Sequence, residues 1–85
     1  MENQILILVL TNSISLITKV EEVSSELGEP DCRLIKPYLI DSELNITPWL
    51  NEMTNLDEFM ISSDKILTLI EPKKSLLDKY LELTQ

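Results

Sequence analysis

The chain has 85 residues, of which 44% are hydrophobic and 26% charged, and 7 basic against 15 acidic residues give a net charge of −8. A chain of this size forms one domain, and its balanced composition excludes wholesale disorder. The negative charge is opposite to the basic surface that binds phosphate backbones. The chain also contains no histidine, the commonest general base and metal ligand.

Two strands open the chain and form a predicted hairpin. Residues 4–11 are aliphatic without a helical period, which indicates a strand buried on both faces. Residues 14–23 alternate apolar and polar side chains, as in a strand with one face in solvent. Asn12 and Ser13 between them are typical of a tight turn.

A third strand is predicted over residues 32–40, after a polar loop that carries the single glycine, Gly28. Pro37 lacks a backbone N–H, so this strand must bulge, bend or lie on an edge at that point. Residues 41–54 show no clear period and are predicted to form a long loop or a short irregular extension.

The last third of the chain changes from strands to a helix. Residues 56–62 and 66–70 are short apolar runs around a polar turn, which predicts a second hairpin. Beyond Pro72, apolar side chains fall on one helical stripe, so a helix is predicted over 72–83. Five strands and one terminal helix predict a mainly β fold, a small and strongly bent sheet or a partly open barrel.

The residues offer no candidate catalytic machinery. Cys32 is the single cysteine, and without histidine it lacks the usual activating base. No glycine-rich phosphate loop or metal-ligand cluster is present, so neither an enzymatic activity nor a cofactor or metal is expected. The unpaired cysteine and the absence of a signal-like or membrane-length apolar run predict a cytoplasmic protein without membrane insertion.

The order of these elements, and their apolar skeleton, resembles the Sm-like (LSm) family, which includes bacterial Hfq. The family's first motif aligns with seven positions of this chain: Ser13, Thr18, Val20, Val23, Ser24, Leu27 and Gly28. The second motif aligns with Met60-Ile61, the turn 62–65 and the apolar run 66–69. The chain is most similar to the small Sm-like proteins of marine cyanophage.

This resemblance implies a fold and an assembly. The fold would be an Sm-like (SH3-type) small barrel of five strongly bent antiparallel strands with a C-terminal helix. The assembly would be a closed homo-oligomeric ring of about five to seven subunits. The activity would be RNA binding or RNA chaperoning without catalysis, in the cytoplasm of a bacterial or phage-infected cell.

The resemblance also implies which residues act. Bases would be held by residues of the two loops: Ser62, Ser63, Asp64, Lys65, Ser24 and Gly28. The subunits would meet through the last two strands, at Leu56, Phe59, Ile61, Ile66, Leu67 and Leu69. Physical reasoning agrees with the second set, because apolar strands at an open sheet edge invite aggregation unless another subunit covers them.

Plainer interpretations stand beside these. Lys65 is also consistent with an ordinary solvated turn lysine, and Tyr38 and Trp49 with core or interface anchors rather than stacking platforms. The acidic charge favours an alternative function, a protein-interaction module that binds a host protein or imitates the charge of nucleic acid. Basic side chains clustered on one face would support RNA binding, and basic side chains dispersed among carboxylates would support the alternative.

Overall fold

A computed structural model describes residues 4–84 of the chain. The fold is mainly β, an antiparallel sheet of six strands with one C-terminal helix. The strands are β1 Gln4–Leu10, β2 Ser15–Glu22, β3 Cys32–Ile40, β4 Ile46–Pro48, β5 Glu58–Ile61 and β6 Ile66–Ile70. A 3₁₀ turn, Ser63–Lys65, joins β5 to β6, and the helix α1 spans Lys74–Thr84.

The strand order is β4-β3-β2-β1-β6, and β5 also pairs with β3. Strands β1 and β2 form the predicted hairpin, with Ile7 opposite Ile17 and Leu8 opposite Leu16. Strand β3 lies along the other edge of β2. Its first half pairs with β5 and its second half with β4, so a single strand supports two short partners.

A bulge at Lys36 and Pro37 separates the two halves of β3. Ile35 pairs with Lys19 and Tyr38 with Ile17, so two residues of β3 lie opposite one residue of β2. Lys36 has a φ of 52°, a left-handed conformation that is costly for a residue before proline. The predicted interruption at Pro37 is therefore confirmed, and it takes the form of a bulge that redirects the strand.

Side chains from two other elements bind the carbonyl groups of this bulge. The buried Thr18 hydroxyl donates to the carbonyl of Ile35 at 3.0 Å. The Tyr80 hydroxyl donates to the carbonyl of Lys36 at 2.9 Å and lies 3.1 Å from that of Ile35. The Lys36 amide in turn donates to the carbonyl of Asp57 at 2.6 Å. The polar groups that the bulge removes from the strand ladder thus regain partners, as buried backbone groups require.

The sheet buries apolar side chains on both faces, because successive residues of a strand point to opposite sides. On one face the buried cluster consists of Leu8, Leu10, Leu16, Val20 and Leu34. On the other face it consists of Ile7, Ile17, Ile46 and Tyr80. The prediction that β1 is buried on both faces is confirmed, since neighbouring residues of β1 join different clusters.

The second cluster exists because α1 covers the outer face of the sheet. Tyr80 is fully buried there, and its ring meets that of Tyr38 edge to face with centroids 5.7 Å apart. Leu76 packs against the same cluster. The prediction that β2 has one face in solvent is wrong at Ile17, which is fully buried because the helix side of the sheet is covered.

Two predictions about connections are also wrong. Residues 41–54 are not all loop, because Ile46–Pro48 forms β4 against the second half of β3. The last two strands do not form a hairpin, since β5 pairs with β3 and β6 with β1. The turn between them explains this: it is a 3₁₀ turn without the positive φ angles that a tight hairpin turn needs, so β6 leaves β5 and continues along β1.

None of the helices in residues 4–84 combines the length and the apolar character required to span a bilayer.

The contacts of Tyr80 predict a specific loss of stability. Tyr80→Phe leaves the Lys36 carbonyl without its side-chain donor and should lower the free energy of unfolding at neutral pH by about 1–2 kcal/mol. Burial raises the pKa of the Tyr80 phenol above its ordinary value of 10.0. The unfolded chain then loses this proton first, so the wild type should lose stability as pH rises above 10.

Urea denaturation at neutral and alkaline pH measures both effects. In Tyr80→Phe the alkaline loss should be smaller than in the wild type. Tyr38→Phe is the matched control, because its hydroxyl lies at the surface, 3.5 Å from the Leu83 carbonyl. Equal destabilisation by the two substitutions would contradict the role given to Tyr80.

Candidate functional site

The loop between β2 and β3 and the 3₁₀ turn meet at one end of the sheet. The Ser63 amide donates to Oδ1 of Asp31 at 2.7 Å, and the Ser63 hydroxyl donates to Oδ2 at 2.8 Å. This clamp joins two segments that are 32 positions apart in the chain. It places the carboxylate at the first residue of the turn, where free amide groups favour negative charge.

The two segments enclose a shallow cavity of about 370 Å³. Of the predicted RNA-binding residues, Gly28, Ser62, Ser63 and Asp64 line it. Neither Ser24 nor Lys65 belongs to its lining, and both are exposed. Gly28 has a φ of 88°, a conformation that favours glycine, so the loop turns at this residue.

The cavity is acidic. Glu29, Asp31 and Asp64 all contribute to its lining. Hydrogen bonds from Ser63 lower the pKa of Asp31 below its ordinary value of 3.8, so this carboxylate stays ionised at neutral pH. Because the Ser63 amide and hydroxyl already donate to Asp31, a ligand at this position would meet the Ser62 hydroxyl beside three carboxylates.

A larger and more apolar groove of about 550 Å³ adjoins this cavity and shares Asp31 and Ser63 with it. Its walls are the ends of β1 and β2 together with β6. Cys32 lies in it, and burial raises the pKa of the thiol, so it remains protonated and unreactive at neutral pH. The thiol therefore supplies no nucleophile to this groove.

The predicted interface residues divide into two kinds. Leu67 and Leu69 of β6 are 65% and 49% exposed, and Leu56, in the loop before β5, is 69% exposed. The other three residues are half-buried and already have intramolecular contacts: Phe59 packs edge to face on Trp49, and Ile61 and Ile66 pack on the cluster around Leu8.

The basic side chains are distributed among other partners. Arg33 forms a salt bridge with Glu21 across the strands, with 3.0 Å between the charged atoms. Lys74 binds Asp78 at 2.7 Å on the helix. These pairs are dispersed, and none lies in the acidic cavity.

Sequence reasoning missed a third cavity, of about 480 Å³, between the bulge of β3, the segment after β4 and the end of α1. Tyr38, Trp49 and Phe59 line it, so three of the chain's four aromatic side chains converge there. No pattern in the sequence announces this, because the three residues are about ten positions apart on different elements. The bulge brings them together.

Two observations bear on catalysis. The chain has no histidine. Across residues 4–84, no three acidic or cysteine side chains are arranged so that they could hold a metal ion. The groups that converge in the cavities are hydroxyls, amides, carboxylates and aromatic rings, which suit binding by hydrogen bonds and stacking.

A protein-family model described as a family of unknown function, DUF6561, matches residues 3–85, and the chain belongs to this family. No curated protein matches the sequence.

The clamp between Asp31 and Ser63 should be visible in an acid titration. Because its pKa is lowered in the folded protein, the carboxylate contributes stability above pH 3.8, and this is lost as pH falls through its folded pKa. Ser63→Ala removes the hydroxyl bond and should move the Asp31 pKa back towards its ordinary value. Carboxyl chemical shifts in an NMR titration measure it, with Ser62→Ala as the control; the same Asp31 pKa in both variants would contradict the clamp.

Proposed function

We propose that the chain is an Sm-like, ring-forming protein that binds RNA or acts as an RNA chaperone scaffold without catalysis, in the cytoplasm of a bacterial or phage-infected cell. The single observation that carries the proposal is the position of β5 and β6. Each pairs on one side only within residues 4–84, so each offers an open edge to another subunit.

The side chains on these edges support assembly. Every residue of β6 after Ile66 is exposed, although four of its five residues are apolar. An exposed apolar edge of this kind is an aggregation hazard in a monomer. Head-to-tail pairing of β5 with β6 of the next subunit would cover both edges, and closure of the ring would leave neither free.

The sheet order supports an SH3-type small barrel. Strands β1, β2 and β3 follow one another across the sheet, β6 lies on the outer side of β1, and β4 and β5 share the outer side of β3. The bulge bends β3 so that β5 and β4 lie along different halves of it. A bent sheet with a short turn between its two outer strands is the arrangement that the Sm-like resemblance implies.

Assembly should depend on β6. The wild type should scatter light as a complex of about five to seven subunits. Leu69→Lys and Leu67→Lys should give monomers, because each places a charge in a covered strand edge. Leu44→Lys is the matched control, since Leu44 is 55% exposed and lies outside β5 and β6; a monomeric wild type at micromolar concentration would refute the ring.

For RNA binding, the proposal relies on Lys65 at the end of the 3₁₀ turn. It is exposed and adjoins the acidic cavity through Ser63 and Asp64. In a ring each subunit contributes one copy, so weak attraction to phosphate would be multiplied. The cavity hydroxyls of Ser62 and Ser63 would then contact bases while the lysines hold the backbone.

Lys65→Glu should abolish RNA binding without unfolding the protein, because the side chain is exposed. Fluorescence anisotropy with labelled A-rich and U-rich RNA, at low and physiological salt, measures the effect. Lys73→Glu makes the same charge change just before α1 and should weaken binding less. Binding that survives Lys65→Glu would reject the turn as the site.

The alternative function, an acidic protein-interaction module for a host protein or a mimic of nucleic-acid charge, is favoured by a different observation. Three carboxylates line the cavity at the turn. Lys74 is paired with Asp78, and the Lys79 ammonium donates to the Leu44 carbonyl at 3.3 Å. Absence of RNA binding by the wild type at low salt would favour this alternative.

A further inference from the structure

Two cavities lie side by side next to β4, and Trp49 separates them. The aromatic cavity of about 480 Å³ is on one side, and a second of about 490 Å³ is on the other. Both are lined by Pro48, Trp49 and Asn51. We call the pair the Trp49 groove. Its two hollows share an aromatic and a proline side chain as their common wall.

Contacts within the chain hold the walls of the groove together. Trp49 and Phe59 meet edge to face with centroids 5.9 Å apart, and Pro37 is buried at its base. The Trp49 amide donates to the Pro37 carbonyl at 3.0 Å, which ties the ridge to the bulge. Leu50 follows with a φ of 64°, a strained conformation for a bulky residue. Backbone strain concentrates where a surface is shaped for a ligand.

The polar groups of the groove include several hydrogen-bond donors. The indole N–H of Trp49 has no acceptor among residues 4–84, and the amides of Asn51 and Asn55 lie along the same surface. The Tyr38 hydroxyl has only a long contact, 3.5 Å to the Leu83 carbonyl. Proline has no N–H, so a proline-rich segment presents carbonyl acceptors, which these donors complement.

The charge of the groove is negative overall. Two carboxylates, Glu52 and Asp57, outnumber the single ammonium in its lining, that of Lys36, which donates to the Thr84 carbonyl at 3.3 Å. The whole chain carries a net charge of −8. A basic partner is therefore attracted to this face, and an anionic ligand such as a nucleotide is repelled.

We propose that the Trp49 groove binds a proline-rich segment of another protein, in the polyproline II conformation and flanked by lysine or arginine. Aromatic ridges receive the proline rings, the indole and amide groups donate to the peptide carbonyls, and the carboxylates meet the basic flank. The proposal is independent of RNA binding, which was assigned to the turn at the other end of β3.

Trp49 is the only tryptophan of the chain, so its emission reports on this groove alone. The full-length protein is titrated with an oligoproline peptide that ends in two arginines. We expect a saturable blue shift of the emission. Two control peptides should each bind at least about tenfold more weakly. The same oligoproline ending in two glutamates lacks the basic flank, and a glycine-serine peptide ending in two arginines lacks the proline rings.

Matched substitutions locate the contact. Met53→Asn removes an exposed apolar side chain of the groove and should weaken binding about tenfold, whereas Leu44→Asn, outside the groove, should not. Asp57→Asn should reduce the salt dependence of binding, and Glu43→Gln, which makes the same charge change away from the groove, should leave it unchanged. Calorimetry measures all four variants.

Two results would overturn the proposal. One is that the arginine-ended oligoproline leaves both Trp49 emission and calorimetric heat unchanged. The other is that adenosine or uridine monophosphate shifts the emission and the oligoproline does not, which would make the groove a nucleotide site. Binding that is equal in Met53→Asn and Leu44→Asn would also refute this location.

Discussion

The bulge of β3 is the constraint on which the rest of the structure depends. Two residues of β3 occupy the space opposite one residue of β2, and the strand changes direction there. Thr18 from one side and Tyr80 from the other bind the carbonyls that the bulge exposes. Without these donors, a left-handed Lys36 before Pro37 would be costly to maintain. The helix, both short strands beside β3 and the aromatic cavity take their positions from this one distortion.

Much of the fold follows from local patterns. The aliphatic run of β1, the turn at Asn12 and the stripe of α1 are each visible in the sequence, and Pro37 announces the interruption of β3. The local patterns do not indicate which strand each strand pairs with. The apolar sequence of β6 is compatible with pairing to β5 or to β1. The direction of the turn between β5 and β6 determines that β6 pairs with β1. The three residues of β4 are too few to show any period.

The candidate sites divide in the same way. Gly28 and Ser62 belong to loops that adjoin in the structure, and a resemblance of element order was sufficient to group them. The role of Asp31 was missed, because a hydrogen bond across 32 positions leaves no trace in the sequence. Trp49 and Phe59 likewise become neighbours only when β3 bends, so their groove was beyond sequence reasoning. Residues that the order of elements brings together are predictable, whereas those gathered by a distortion are not.

Strand β6 has a consequence for the accuracy of any strand added to it. Its side chains are apolar on both faces, so a partner that slips by one residue would still meet hydrophobic neighbours. The strand itself therefore specifies its alignment poorly. The Asp31 clamp supplies what the strand lacks, because it fixes the turn from which β6 starts. One hydrogen-bonded carboxylate thus helps to set the register of a strand whose apolar side chains do not define it.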